Sequence, residues 1–539
     1  MPAKLEFISL FCFHSSDVHK NSIAIFGKFY YNRLKHRKGN CFMKKIVCLF
    51  IAVALLLGLC ACGGSGESGG KDYKGLQVGF GRTSIVPDVL GVEIAGGDAS
   101  ARISTGYRDE VSATCIAIKE GDETILLYTL DFIVVDQHVY AAQPEIAEAT
   151  GIPVENILLN CTHTHSGVSI RSNWDNGQHD AYRAKYRAAA VEAAQIALAD
   201  LSPAEMYYGS TMTENLVFVR HYLLENGTTY GNGHGTTSGT SIKEHLYPSD
   251  GELQVIKFAR PAEDKKDVVL LNLGAHATMM NSIDANMISA DWPYNARSYV
   301  EYVVGEDGLP DTEQPRDYLC AVFEAAAGDQ IPNSNIKAIA PYGNKYPEFG
   351  NKVGEYCMSV LEGEMTKAPG SGISLKVHNY TAPSMKEGLE DPERFAQAQE
   401  VASISAAKGS SHMDTKAAVS KYGFPSVYEA TGLVSRSKYP ETFSMELHYM
   451  DIDGVSFIFA PFEMFGVTGR EIKDNSPYDM TFVITCSENK SGYHMGYLPH
   501  EYGCEEGFYE YDVTKFARGT AEDLAKTYVN LLTELKGAE

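Results

Sequence analysis

The sequence predicts a mixed α/β (α+β) fold: one large catalytic-type domain of β-sheets flanked by helices. Three observations carry this. Short apolar, β-branched runs alternate with longer segments of helical period, no internal repeat is present, and no linker-like shift in composition divides residues 75–537. In chain order, Thr124–Val135 reads as a strand, Gln143–Thr150 as a helix, Ile157–Asn160 as a buried strand and Ala181–Ala199 as a long Ala-rich helix. Further strands are expected at Glu252–Phe258, Val268–Leu273, Tyr318–Glu324, Phe443–Ile452, Val455–Ala460 and Met480–Cys486. Helices are expected at Glu348–Leu361, at Pro392–Ala407, where proline suits the first turn, and at Thr520–Lys536.

At 539 residues, 44% hydrophobic and 21% charged, the chain has the composition of a folded protein with ample core. Its 46 basic and 69 acidic side chains give a net charge of −23, which repels the phosphates of nucleic acid. No nucleic-acid partner is expected. Residues 1–61 hold nine of the basic groups and two of the acidic ones, leaving 37 and 67 in residues 62–539, a net −30.

That leader has its own logic. Met43-Lys44-Lys45 is a charged start, and Ile46–Leu59 is an apolar run of 14 residues. As a helix it reaches only about 21 Å, short of a ~30 Å hydrocarbon core. The run ends in Leu59-Cys60-Ala61-Cys62, which resembles a bacterial lipobox and makes Cys62 the lipidated N-terminus after cleavage; a secretory signal cut near Ala61 is the alternative. The organisation read from this is an upstream mis-start extension over 1–42, a signal peptide over 43–61, a Gly/Ser-rich tether over 62–74 and the catalytic domain over 75–539. The expected location is the extracytoplasmic face of a bacterial cell membrane, or secretion. Beyond the leader, Cys115, Cys161, Cys320, Cys357, Cys486 and Cys504 are too dispersed for a disulfide scaffold or zinc ribbon, though one or two disulfides fit.

The strongest local signal is Asn160-Cys161-Thr162-His163-Thr164-His165-Ser166-Gly167, where a buried strand runs into a turn. In an extended segment His163 and His165 share a face, which suits a metal, or a metal ligand beside a proton-transfer group. Two hydrogen-bonded histidines without metal are the alternative. His276 follows another strand, and Glu463 follows a third through Pro461-Phe462. With His163 they make a His₂Glu set of the catalytic zinc kind. Taken singly, His276 also reads as a core histidine and Glu463 as a helix N-terminal charge. Residues 75–539 contain no GxSxG elbow, HExxH helix or P-loop, and Gly79-Phe80-Gly81 lacks the third glycine of a dinucleotide fingerprint.

Together these blocks resemble the neutral/alkaline (non-lysosomal) ceramidase family. Val78–Pro87 is similar to its N-terminal glycine-containing strand and Asn156–Gly167 carries its Thr-His-Thr-His-Ser-Gly signature. His276–Asp291 is similar to its His-Gly-Thr block ending in Ile-Ser-Gly-Asp, and Pro461–Arg470 to its Glu-Phe-Thr segment. The resemblance implies zinc held by His163, His276, Glu463 and Tyr497, with Tyr493 as the fallback ligand. It places His165 beside the metal, Arg220 facing the substrate and Tyr509 downstream in the active site; a surface salt bridge is the alternative for Arg220. It also implies a zinc-dependent hydrolase that cleaves the amide of ceramide or a related N-acyl lipid by metal-activated water, acting on a lipid substrate at the membrane that its anchor would hold.

Two departures bear on ceramide specificity. Gly328-Asp329-Gln330-Ile331-Pro332-Asn333 puts Ile331 where the family has a serine sometimes assigned as nucleophile. The tyrosine block also lies close to Glu539, so the family's C-terminal β-sandwich is expected to be absent. The rival readings are a zinc amidase or esterase on another acyl substrate, and a non-catalytic surface lipoprotein that binds lipid or glycan.

Overall fold

Three sheets meet on a shared apolar core, and helices close their outer faces. A computed structural model describes residues 73–96, 102–171, 178–231, 240–280, 283–332, 345–407, 412–489 and 495–538, together with residues 336 and 342. Cys62, the leader, the tether up to residue 72, Asn333 and Tyr493 lie outside the described residues. All described elements belong to the unit Tyr73–Glu539.

The first sheet runs Ile157–Cys161, Glu123–Leu130, Ser112–Glu120, Gln77–Ser84, Ser202–Pro203. Its alternation assigns each face. Ile116, Ile118, Ile125 and Leu127 point to the core shared with the other sheets. Cys115, Ala117, Leu126 and Tyr128 point to the helix Gln178–Ala199. That helix presents a buried alanine stripe, Ala189, Ala190, Ala193, Ala194 and Ala197. Gly79 and Gly81 let it approach closely, since a Cβ on either would lie 2.0 Å from the Ala197 carbonyl or 2.1 Å from the Ala193 carbonyl. The Gly-Phe-Gly of the sequence is thus a packing feature.

The second sheet runs Tyr318–Glu324, Asp267–Leu273, Glu252–Ala259, Glu205–Met212, Thr366–Lys367. Its outer face is covered by Trp292–Glu301 and Tyr346–Glu362. The third runs Ile373–Pro383, Thr442–Ile452, Val455–Phe459, Thr481–Ile484, under the helix Thr520–Gly537. Pro392–Ala406, His412–Tyr422 and Val427–Arg436 form a satellite with its own small core.

Each sheet contains one parallel pair: Glu123–Leu130 with Ile157–Cys161, Asp267–Leu273 with Tyr318–Glu324, and Val455–Phe459 with Thr481–Ile484. The C-terminal ends of these six strands converge on the candidate site.

Most expected elements form, with two corrections. The strand expected over Thr124–Val135 stops at Leu130, because the Asp131 carboxylate accepts from the Ser112 amide at 2.7 Å and pairs with Arg297 at 2.9 Å, turning the chain out of the ladder. Helix Trp292–Glu301 occupies sequence that showed no helical pattern; Asp291 caps it and Pro293 sits in its first turn. All six cysteines beyond the leader are buried and unpaired. No helix among the described residues is long and apolar enough to cross a membrane.

Replacing Gly81 by alanine forces a methyl group against the Ala193 carbonyl and should cost about 2–3 kcal/mol, read as a lower urea midpoint with unchanged slope.

Candidate metal centre

His163 stands two residues past the strand Ile157–Cys161, and its backbone is left-handed, with φ 57°. The histidines therefore do not share a face of an extended strand, as the sequence reading supposed. A turn brings them together instead: the rings meet edge to face at 4.8 Å between centroids, with the two Nε2 atoms 3.2 Å apart. A non-glycine residue held at positive φ costs on the order of 1–3 kcal/mol, and its surroundings enforce it here. Thr162 Oγ1 donates to Asp131, Thr164 Oγ1 donates to the Ser289 carbonyl at 2.9 Å, and the Ser289 amide donates to the Ser166 carbonyl.

The segment Ile288–Asp291 is therefore a latch for the histidine loop. Asp109 accepts from Ser289 Oγ and the Ala290 amide, and Asp291 from the Met280 and Trp292 amides. Burial pushes both carboxyls up, Asp109 to about 6 and Asp291 to about 7, against the pull of these donors.

Nδ1 of His163 lies 2.6 Å from the carbonyl of Ile133, and Nδ1 of His276 lies 2.6 Å from the carbonyl of Ala327. A carbonyl only accepts, so each ring carries its proton on Nδ1 and turns Nε2 inward. Glu463 brings Oε2 to 3.3 Å from His163 Nε2 and 3.4 Å from His276 Nε2. Tetrahedral ligands at roughly 2.0–2.1 Å from a zinc-sized ion stand about 3.3–3.4 Å from one another. The two Glu463 separations, 3.3 and 3.4 Å, match that edge, and His165 Nε2 stands beside them, 3.2 Å from His163 Nε2. His276 Nε2 is buried without a hydrogen bond, so the donor set fits a metal ion.

Electrostatics agree. Burial, then His163, keep His165 well below its ordinary pKa, and burial, then Arg220, lower His276 to about 4. Both are neutral, the form that ligates. Burial also disfavours the charged form of His163, but the Glu324 and Glu463 carboxylates outweigh it and raise the ring to about 9, a proton that a bound cation would displace.

A second group shares His163 and was not picked out from the sequence; it lies on the Nδ1 side of the ring, where Cys486 Sγ is 3.4 Å away. Glu324 and Cys486, at the ends of their own strands, offer ligand atoms within 4.8 Å of one another and of His163. Glu324 is 2% exposed, with the Cys486 thiol beside its carboxylate, and burial pushes it up to about 8. The strand-end criterion that picked out Glu463 applies equally to Glu324.

Tyr497 reaches the site through backbone pairing, Glu463–Met464 lying parallel to Tyr497–Leu498. Arg220 is not a surface salt bridge: it is buried, with Nη2 donating to the Tyr497 hydroxyl at 3.2 Å and to the Gly328 carbonyl at 2.9 Å, and Nε donating to Glu510 at 2.7 Å. Tyr509 packs edge-on against Tyr497 at 5.5 Å, and burial, then Glu463, raise its phenol above the ordinary range. Ile331 lies in Gln330–Ile331, paired with Phe218–Val219 beside Arg220.

No protein-family model and no curated protein matches the chain. Among solved structures it is similar to neutral ceramidase from Pseudomonas aeruginosa, with a TM-score of 0.62 at 15% identity over 87% of this chain and 75% of that one. The chain has the neutral ceramidase fold. A structure of ceramidase complexed with C2 gives the same result, with a TM-score of 0.60 at 15% identity over 86% and 76% of the two chains. In this ceramidase fold the described residues bring His163, His165, His276 and Glu463 to one point, with Tyr497, Arg220 and Tyr509 linked to it by contacts.

His276→Ala should leave the chain folded while lowering its affinity for Zn²⁺ or Co²⁺ by at least ~100-fold, measured by competition with a chromophoric chelator. Unchanged affinity would dismiss the cluster as a metal centre.

A second expectation concerns acid stability. Burial raises the Glu510 carboxyl, but Arg220 and then His221 outweigh it and hold it at about 2, against an ordinary 4.5. Between those values the unfolded chain binds a proton that the folded chain refuses, so this contribution is complete above about pH 4.5 and is lost as pH falls toward 2. Urea titrations of Glu510→Gln should show a shallower loss of stability over that interval than wild type; equal slopes would contradict the assignment.

Proposed function

We propose that the chain is a zinc-dependent hydrolase that cleaves the amide bond of ceramide or a related N-acyl lipid, releasing fatty acid and an amine. The observation that carries this reading is the Glu463 carboxylate, past the end of a parallel strand, 3.3 and 3.4 Å from the inward Nε2 atoms of His163 and His276, the edge length of a tetrahedral donor set. The ceramidase fold supports the substrate class.

His163, His276 and Glu463 would hold the ion, with Tyr497 as the fourth ligand. When bound there, zinc supplies a Lewis acid for the acyl carbonyl and activates water. The remaining tasks fall to side chains. His165, neutral and 3.2 Å from His163, accepts the proton given up by the attacking water and returns it to the amine nitrogen as the C–N bond breaks. Arg220 fixes the Tyr497 hydroxyl and places positive charge where the carbonyl oxygen gains electron density. Ile331 has no nucleophilic atom, so water rather than this side chain is the acyl acceptor in this reading.

Lipidation of Cys62 would hold the domain at the extracytoplasmic membrane face, where N-acyl lipids lie. A domain of net −30 has no electrostatic affinity of its own for an anionic bilayer.

Mass spectrometry of products, with zinc-loaded chain offered ceramide beside a panel of N-acyl amides and esters, tests the proposal. Fatty acid and sphingoid base formed by wild type and not by His163→Ala are expected. Cleavage of another panel member alone would move the substrate, and no cleavage at all would favour a lipid- or glycan-binding lipoprotein. His165→Ala should keep equimolar zinc and lose ~10²–10⁴-fold in kcat; loss of the zinc would make His165 a ligand instead.

A further inference from the structure

Glu510 stands outside the metal-binding donors, yet its carboxylate is wholly enclosed, 0% exposed, and both oxygens are committed. Oε1 accepts from Arg220 Nε at 2.7 Å and lies 2.5 Å from Arg220 Nη2. Oε2 lies 3.1 Å from His221 Nε2, and the His221 ring is itself fixed, stacked on Phe508 at 4.1 Å with 16° between planes. Arg220 is pinned at its other end too, its backbone amide donating to the Asp329 carbonyl at 2.9 Å.

A buried ion pair is a poor device for stability. Desolvating both charges cancels most of their attraction, and apolar residues of similar volume do as well or better. What this pair supplies is direction. With Nε and one edge of Nη2 taken by Glu510, the planar guanidinium cannot rotate, and the remaining Nη2 hydrogen points at the Gly328 carbonyl and the Tyr497 hydroxyl. The same plane lies over the Tyr497 ring, 5.5 Å from its centroid.

The geometry points to Glu510, buttressed by His221, as a positioning residue that aims Arg220 at the Tyr497 hydroxyl and so fixes the side of the centre on which the acyl oxygen is handled. This rests on the hydrolase reading above and assigns a role to two residues that do not reach the reacting atoms themselves.

A double-mutant cycle on the full zinc-loaded chain tests it, using wild type, Glu510→Gln, Arg220→Gln and the double variant. Glu510→Gln should lower kcat ~100-fold with KM within about threefold and zinc still equimolar, and should speed release of zinc to a chelator, measured without substrate, by ~10-fold. In the Arg220→Gln background the same change should add less than about twofold to either quantity, because its only route of action is gone. Independent, multiplying effects, or a Glu510→Gln enzyme within about twofold of wild type, would overturn the assignment. If Glu510→Gln leaves Arg220 unpaired and the chain does not fold, Glu510→Asp, which keeps the charge but withdraws it by one methylene, carries the same cycle. A wild-type chain inactive on every amide would sink the hydrolase reading, and the zinc-release cycle alone would then decide the role of Glu510.

Discussion

Two main-chain carbonyls govern the centre. Ile133 and Ala327 each take the Nδ1 proton of a buried imidazole, and this fixes both the tautomer and the plane of His163 and His276. Neither carbonyl would be available inside a ladder. Ile133 is free because the strand Glu123–Leu130 ends at its last apolar residue and Asp131 turns the chain aside. Ala327 lies outside a ladder because the loop after Tyr318–Glu324 folds back against Glu463, where Gly328 leaves no room for a Cβ, 2.4 Å from the Glu463 carbonyl; its own carbonyl takes the Gln330 amide as well as the imidazole. The geometry of the donor atoms therefore follows from where strands stop.

The parallel pairs explain why those stops coincide. Antiparallel neighbours send their C-terminal ends to opposite edges, whereas a parallel pair delivers two chain exits side by side. Three such pairs, one in each sheet, bring Ile133, His163, His276, Glu324, Glu463 and Cys486 to a common place. The donor atoms that face inward are left for an ion, whereas the charged groups that support them are satisfied away from water. Asp131 with Arg297, Asp109 with Ser289 and Glu510 with Arg220 and His221 are all buried and all hydrogen-bonded.

Much of this was legible in the sequence, for physical reasons that also mark where legibility ended. Strands that build the core, such as Val455–Phe459, are apolar on both faces and announce themselves. Ile373–Pro383 is a largely solvent-facing edge strand whose alternation carries little signal, and it went unread. The His-Thr-His pair was visible because its members are two residues apart, although the turn that joins them was not. Glu510 and Arg220 lie 290 positions apart with no local motif, and only the folded chain shows that they meet. Glu324 was missed for a different reason: as the last residue of an apolar strand it reads as a polar stop, and its burial depends on the third sheet packing across it.

The distances along the chain set the order in which the protein can be built. Cys486 and His163 touch across 323 positions, and the third sheet, which brings Glu463, is near the end of the sequence. Contacts of such separation form late, after loop-closure entropy has been overcome by the sheets that carry them. A newly made chain thus carries single, scattered imidazoles and carboxylates, and the donor arrangement comes into being only as the last sheet docks. Capture of a metal there would then report completed folding, and the ion would add its binding energy to the native state alone.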